Sequence, residues 1–277
     1  HTKLVGYVVE KGLPPTYFLG YTAEESEAWL VYAHDAGDSM HLVFDQSPFY
    51  GESGGQAGDT GIIRGNDFEF IVKDTQKSDN AIIHIGTIVH GMPHVGEIYF
   101  LSVDTARRHA IARNHTATHL LHKALKIVLG AHVNQAGSLV EPDRLRFDFT
   151  HTGATTPEQL LDIERIVNDA VRRNIELTTQ VMNVDEAKKS GAMALFGEKY
   201  GDSVRVVTTG DFSKELCGGT HVRMTGEIGF IKILSESGIS TGVRRIEALT
   251  GEAAFEYIIR GERSEERRVG KECRSRW

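Results

Sequence analysis

The chain has 277 residues, 40% of them hydrophobic and 25% charged, which suits one large globular domain or two modest ones. Its net charge is −7. It is therefore no bulk polycation, and any contact with nucleic acid must rest on local basic patches. Arg107, Arg108 and Arg113, with Arg244 and Arg245, are the candidates, against the alternative that they are solvated surface charges. No run approaches the roughly 18 apolar residues of a membrane span, and no signal peptide is visible, so no membrane association is expected. Two cysteines, Cys217 and Cys273, make no disulfide framework, and a reducing cytoplasm is the expected compartment. The chain opens on His1 and reads as a piece of a longer protein.

Residues 1–103 read as β. Short runs at 3–9, 28–34, 40–44, 68–72, 81–85 and 96–101 carry Val, Ile, Tyr and Phe, and Gly, Asp, Asn and Pro break them at hairpin-like intervals. Many short strands without helical periodicity predict a small antiparallel β-barrel or sandwich, of which the barrel is the expected form. Inside this region, Ser53-Gly54-Gly55-Gln56 puts two glycines side by side. They permit positive φ, so the segment is either a loop lining a site or a tight turn.

From residue 104 the pattern becomes helical. Asp104 or Thr105 can cap a helix that Gly130 ends. On a 100° wheel Ile111, Thr118, Leu121, Leu125, Val128 and Leu129 form its apolar stripe, with His115 and His119 at the edge. A loop at 132–140 leads into a strand, and 145–149 alternates as a strand should. A second helix starts with Thr156 as N-cap and Pro157 at the first position, and turns Leu160, Ile163, Val167 and Val171 inward. Strands are expected at 175–184, 204–209, 228–234 and 243–249, with helices at 185–194 and from 251. The expected class is α+β: a barrel at 1–103, then helices on a mostly antiparallel sheet at 104–260. From about residue 264 the composition loses apolar periodicity, so 261–277 is expected to be a disordered or foreign tail.

Two ligand pairs stand out. His115 and His119 lie four apart on the first long helix, and Cys217 and His221 lie four apart beside Gly218-Gly219. Each pair alone is unspecific. Together they supply three nitrogens and one sulfur, suited to one tetrahedral Zn²⁺ per chain. Thr116 follows His115 where an H-E-x-x-H metalloprotease has its glutamate, which disfavours that chemistry. His122 is a rival ligand or an ordinary helix histidine. Four protein ligands close a tetrahedral site, whereas hydrolytic zinc keeps a position open. A catalytic metal, a structural staple and no metal all stay open on these residues.

The motifs together carry a resemblance. Phe49-Tyr50 with Ser53-Gly54-Gly55-Gln56, Arg113-Asn114-His115-Thr116-Ala117-Thr118-His119-Leu120-Leu121-His122, Val133-Asn134-Gln135-Ala136-Gly137-Ser138, Gly191-Ala192-Met193-Ala194-Leu195-Phe196-Gly197-Glu198-Lys199-Tyr200, Phe212-Ser213-Lys214-Glu215-Leu216-Cys217-Gly218-Gly219-Thr220-His221 and Gly242-Val243-Arg244-Arg245-Ile246-Glu247-Ala248 follow one another. In that order they resemble the editing region of bacterial-type alanyl-tRNA synthetases and the free-standing alanyl-tRNA editing proteins. The resemblance implies hydrolysis of serine or glycine wrongly esterified to the alanine tRNA. It implies zinc ligation by His115, His119, Cys217 and His221, a catalytic-pocket role for Gln135, and substrate binding by Ser47, Gly54, Gly55 and Gln56. Ser47 stands where related free-standing editors often carry a threonine that senses the substrate hydroxyl. A second hydrolytic site makes physical sense, because one small group is worth only ~1–3 kcal/mol in a binding pocket. No side chain is an obvious general base; Asp148 is the nearest candidate beside a structural role. The resemblance implies a tRNA partner, and a monomer is expected. The rivals are a threonyl-type tRNA editing domain and a non-catalytic, zinc-stapled tRNA-binding module.

Overall fold

The computed structural model describes residues 12–193 and 203–274, with side chains described up to residue 263 except at 262. The expected strand at 3–9, the 194–200 part of the fourth motif and Cys273 lie outside the described residues or side chains. The chain forms two units, one of residues 1–112 with 218–220 and one of 113–217 with 221–277.

The first unit is built on a closed barrel. Strands β1 (Tyr17–Phe18), β2 (Glu25–Asp35), β3 (Met40–Phe44), β4 (Gln46–Ser47), β5 (Gly61–Gly65), β6 (Phe68–Ser78), β7 (Ala81–His90) and β8 (Ile98–Val103) follow in chain order. The barrel order is β2-β3-β7-β6-β5-β8, and β1 pairs in parallel with β4. Its strand pairs are antiparallel, as expected. Period-two alternation turns Phe68, Phe70 and Val72 of β6 inward, where they meet Leu30, Leu42, Phe44, Phe49, Ile63 and Leu101. Burying each such side chain is worth ~1.5–3 kcal/mol. Closure needs β6 to bend against β7, and the register shifts there twice. At Gly86 a Cβ would stand 1.8 Å from the Ile71 carbonyl oxygen, so only glycine fits that approach. Strand β5 is unforeseen in the sequence, because its short Gly-Ile-Ile-Arg-Gly run has no alternation to read.

Helix α1 (Thr105–Leu129) begins in the first unit and continues into the second. Asp104 caps it by accepting from the Arg107 N–H at 3.0 Å, and Gly130, at φ +119°, ends it. Strands β9 (Gln135–Val140) and β10 (Leu145–Thr150) follow, then α2 (Pro157–Arg172), β11 (Leu177–Asn183), α3 (Val184–Lys189), β12 (Ser203–Thr209), β13 (Ser213–Leu216), β14 (Ile231–Ser240), β15 (Val243–Thr250) and α4 (Gly251–Arg274). They make a sheet β14-β15-β10-β9 and a sheet β11-β12-β13, both antiparallel. Helix α2 starts in a capping box, Thr156 with Gln159, and buries Ile163, Val167 and Val171 as expected. Its Asn168 amide bonds both the N–H and the C=O of Ile231, acting as an extra strand partner for β14.

Several element boundaries differ from the sequence reading, among them three in the second unit. Helix α3 is shorter than expected because Gly191 takes φ +81°. Residues 225–228 form a 3-10 turn, and Gly229 at φ +76° delays β14 to Ile231. The backbone of α4 continues to Arg274, through the segment that composition sets apart.

Candidate metal centre

Two local periodicities build this centre within the second unit. On α1, residues four apart share a face, so His115 and His119 project together. On β13 the period is two. Leu216 faces the apolar cluster of Ala187, Val204 and Val206, so Glu215 and Cys217 face the other way. The Cys217 N–H donates to the Arg205 carbonyl at 3.0 Å, and the Arg205 guanidinium donates to the Cys217 carbonyl at 3.0 Å. These bonds fix Cys217 just past the end of β13.

One donor atom each from His115, His119, Cys217 and His221 lies within 4.8 Å of the others. The Cys217 Sγ is 3.4 Å from His115 Nε2 and 3.3 Å from His221 Nε2. Zinc–nitrogen bonds near 2.05 Å and zinc–sulfur bonds near 2.3 Å imply tetrahedral N···S edges of about 3.5 Å. The two measured edges match, and an N₃S donor set suits that ion. Burial holds His115 and His221 well below the ordinary histidine pKa, with neighbouring histidines and Arg205 pushing the same way. Burial also lowers His119, against the pull of Glu215. All three are thus neutral at pH 7, as ligands must be.

A second layer holds the rings. Thr116 Oγ1 is 3.0 Å from His221 Nδ1 and accepts from the Val222 N–H at 3.2 Å. With Nε2 facing the cluster, Nδ1 carries the proton and donates to Thr116. Glu215 is 2% exposed and lies 3.5 Å from His119 Nε2 and 3.2 Å from His122 Nδ1. Burial by itself would raise its pKa. The neighbouring His119, the His122 bond and Lys126 outweigh that, and the carboxyl sits below its ordinary value. His122 therefore engages Glu215 and is not in the donor cluster. The sequence pointed to neither Thr116 nor Glu215 as ring supports. The signal was present, since one follows a ligand directly and the other precedes Cys217 by one β period.

In the first unit, Ser53 to Gln56 is a tight turn, with Gly54 at φ +58°, Gly55 at φ +81° and the Gln56 N–H donating to the Ser53 carbonyl at 3.0 Å. Gln56 is fully buried. Its Nε2 donates to Thr220 Oγ1 at 2.8 Å, and its Oε1 accepts from the Thr220 N–H at 2.9 Å. Its amide thus grips the residue that precedes His221. Ser47 is also fully buried. Its hydroxyl lies 2.7 Å from His84 Nε2 and accepts from the Phe49 N–H at 3.1 Å. A role for Ser47 as sensor of a substrate hydroxyl has no exposed atom to rest on.

Gln135 opens β9, half-buried and paired with Phe149 at a register shift. Among the described residues its side-chain amide makes no hydrogen bond, so it is available to a ligand. Asp148 forms a two-pronged pair with Arg245 at 2.7 and 2.9 Å, which favours the structural role over that of a base. Arg244 pairs with Glu236, and Arg107 donates to the Gly58 carbonyl at 2.7 Å. Arg113 packs under Gly251. Arg108 is 4% exposed and donates to Asp59 and to the Gly20 and Pro48 carbonyls. Its guanidinium ties barrel loops together and offers nothing to an outside phosphate.

Comparison with known proteins first defines a class. Residues 18–107 match the family described as tRNA synthetases class II (A), and residues 204–247 match the Threonyl and Alanyl tRNA synthetase second additional domain. Relatives then narrow it. The chain is 54% identical over 253 residues to the alanine–tRNA ligase of Acetivibrio thermocellus, covering 88% of this chain and 29% of that protein. It is 58% identical over 222 residues to alanine–tRNA ligase 1 of Lachnoclostridium phytofermentans, covering 80% and 25%. With the ligase of Acidithiobacillus ferridurans it shares 51% identity over 271 residues, covering 94% and 31%. The chain belongs to the alanine–tRNA ligase family and spans less than a third of the length of these relatives. Among the described residues no helix is long and apolar enough to cross a membrane.

Proposed function

We propose that this chain is the editing region of a cytoplasmic alanine–tRNA ligase and hydrolyses the ester of serine or glycine wrongly attached to the alanine tRNA. One observation carries the proposal: three neutral histidine nitrogens and one cysteine sulfur converge within 4.8 Å, in a chain about half identical to alanine–tRNA ligases. His115, His119, Cys217 and His221 would hold one Zn²⁺. Bound there, the ion supplies a positive charge that can polarise a carbonyl or anchor the polar end of an aminoacyl group.

The remaining work falls to the chain's own residues. The Gln135 amide, without an internal partner, orients the aminoacyl group. Thr116 keeps the His221 ring turned to the cluster, and Glu215 lies beside His119. The Gln56 amide holds Thr220, and with it the segment between Cys217 and His221. Arg113 remains a weak candidate for the tRNA backbone, as do Arg107, Arg244 and Arg245, which are already engaged within the protein. The ligase relatives favour the alanine tRNA over the threonine tRNA of the threonyl-type alternative.

The test is deacylation of Ser-tRNA and Gly-tRNA made on the alanine tRNA, with zinc content measured in parallel. The wild type is expected to hydrolyse both and to hold one zinc. Cys217→Ala loses zinc and activity, and Gln135→His loses activity but keeps zinc. Full activity in both variants would overturn the site. Zinc and tRNA binding without any hydrolysis would leave a non-catalytic binding module.

A further inference from the structure

The barrel unit carries a cleft of about 610 Å³. Four rings line it: Tyr17, Phe18, Tyr21 and Tyr50. Phe18 stands edge-on to Tyr21 at 4.9 Å and to Tyr50 at 5.9 Å. Strand β1 alternates, so with Phe18 turned in, Tyr17 turns out and is 71% exposed. The register Tyr17↔Gln46 and the bond from the Tyr17 N–H to the Asp45 carbonyl at 2.8 Å fix its backbone. Among the described residues the Tyr17 ring has no stacking partner and its hydroxyl no hydrogen bond. Lys77 of β6 lies on the same wall, exposed, and its ammonium has no ion-pair partner among the described residues. Gly51 opposes it, and a Cβ there would come within 3.1 Å of the Lys77 Cβ.

A lone exposed tyrosine needs no explanation. A fixed aromatic face, an unpaired cation and an enclosing volume in one place do. A nucleobase offers a π face to any such ring, and its phosphate suits a free ammonium. A proline-rich peptide would use the rings but not the cation. The cleft is also bordered by Gly218, whose carbonyl accepts from the Tyr21 hydroxyl at 2.5 Å and which directly follows the ligand candidate Cys217 in the chain.

We propose that this cleft holds an unpaired nucleotide from the 3′ end of an RNA, with its base on Tyr17 and its phosphate on Lys77. The choice of an RNA 3′ end rests on the editing function proposed above. The probe is a short single-stranded oligoribonucleotide with 2-aminopurine at its 3′ end, titrated by fluorescence into the 277-residue chain. Stacking quenches the probe. Tyr17→Ala is expected to weaken binding about tenfold and to remove most of the quenching. Lys77→Ala weakens it severalfold and lowers the salt slope by about one. Val89→Ala, on the exposed face of β7 and outside the cleft, leaves binding unchanged.

The same variants are assayed for KM in deacylation of mischarged tRNA, where Tyr17→Ala and Lys77→Ala raise it. Unchanged affinity and KM in both variants overturn the cleft while leaving the editing function intact. Displacement of the probe by a proline-rich peptide, or no quenching at saturation, overturns it as well. A wild type that binds the probe through Tyr17 but hydrolyses no ester keeps the cleft and overturns the editing function.

Discussion

Replacing Gln56 tests whether the barrel unit fixes the segment between Cys217 and His221. Gln56 is fully buried and Thr220 is 7% exposed, so water cannot replace their two hydrogen bonds. In Gln56→Ala the Thr220 N–H loses its acceptor, at a cost of ~1–3 kcal/mol for an unsatisfied buried donor. The Thr220 hydroxyl can rotate to another partner and adds little. The lost side-chain atoms leave a void costing a further ~1 kcal/mol by comparison with other core truncations. The expected total is ~2–4 kcal/mol. Gln56→Met restores the volume but not the polar atoms, so it should recover only the void's share. Urea unfolding followed by circular dichroism reads the stability. Chelator competition reads zinc affinity, expected to fall ~10–100-fold in both variants, as when a supporting shell is lost. Full recovery by Gln56→Met would show that packing alone matters. Wild-type midpoints and zinc affinity in Gln56→Ala would refute the clamp.

Burial drives the His84 pKa down to about 4, against a bond to the Leu42 carbonyl that raises it. The folded state therefore binds fewer protons than the unfolded state between pH 6.5 and about 4, and stability falls as pH drops through that window. The full loss from this group is ~3 kcal/mol, and His84→Gln should flatten the stability profile between pH 7 and 4. Arg108→Met leaves the buried Asp59 carboxylate without its cation. It should destabilise the protein by ~3–5 kcal/mol in thermal unfolding, with tRNA affinity at low temperature unchanged. Thr156→Ala removes one half of the α2 capping box and should cost ~1 kcal/mol in the same measurement.

Local patterns in the sequence determined much of this protein. Strand β3, the barrel's antiparallel character, the capped start of α2 and the Gly130 stop of α1 all follow from alternation, capping and breaker residues that act over a few positions. The donor set was legible for the same reason, because a spacing of four on a helix dictates a shared face before anything packs. The limits are as instructive. The apolar wheel put His115 and His119 at the rim of the core, yet α1 is buried nearly all round from Asn114 to His122. Residues distant in the chain, among them Glu141, Glu215, His221 and Thr250, lie against that stretch, so its burial is not set by the helix's own stripe.

Only the tertiary structure decided which polar groups meet. Glu215 beside His119 and His122, Thr116 under His221, Gln56 on Thr220, and Ser47 locked to His84 join residues 37 to 164 positions apart or on different elements. No periodicity encodes such pairs. They arise because a buried polar atom must find a partner wherever the fold brings one within about 3 Å. The sequence by itself thus set the strands, the helices and the list of donor atoms. Packing chose which of those atoms face one another, which arginines and serines are sealed inside, and which rings, Tyr17 above all, remain open to a partner.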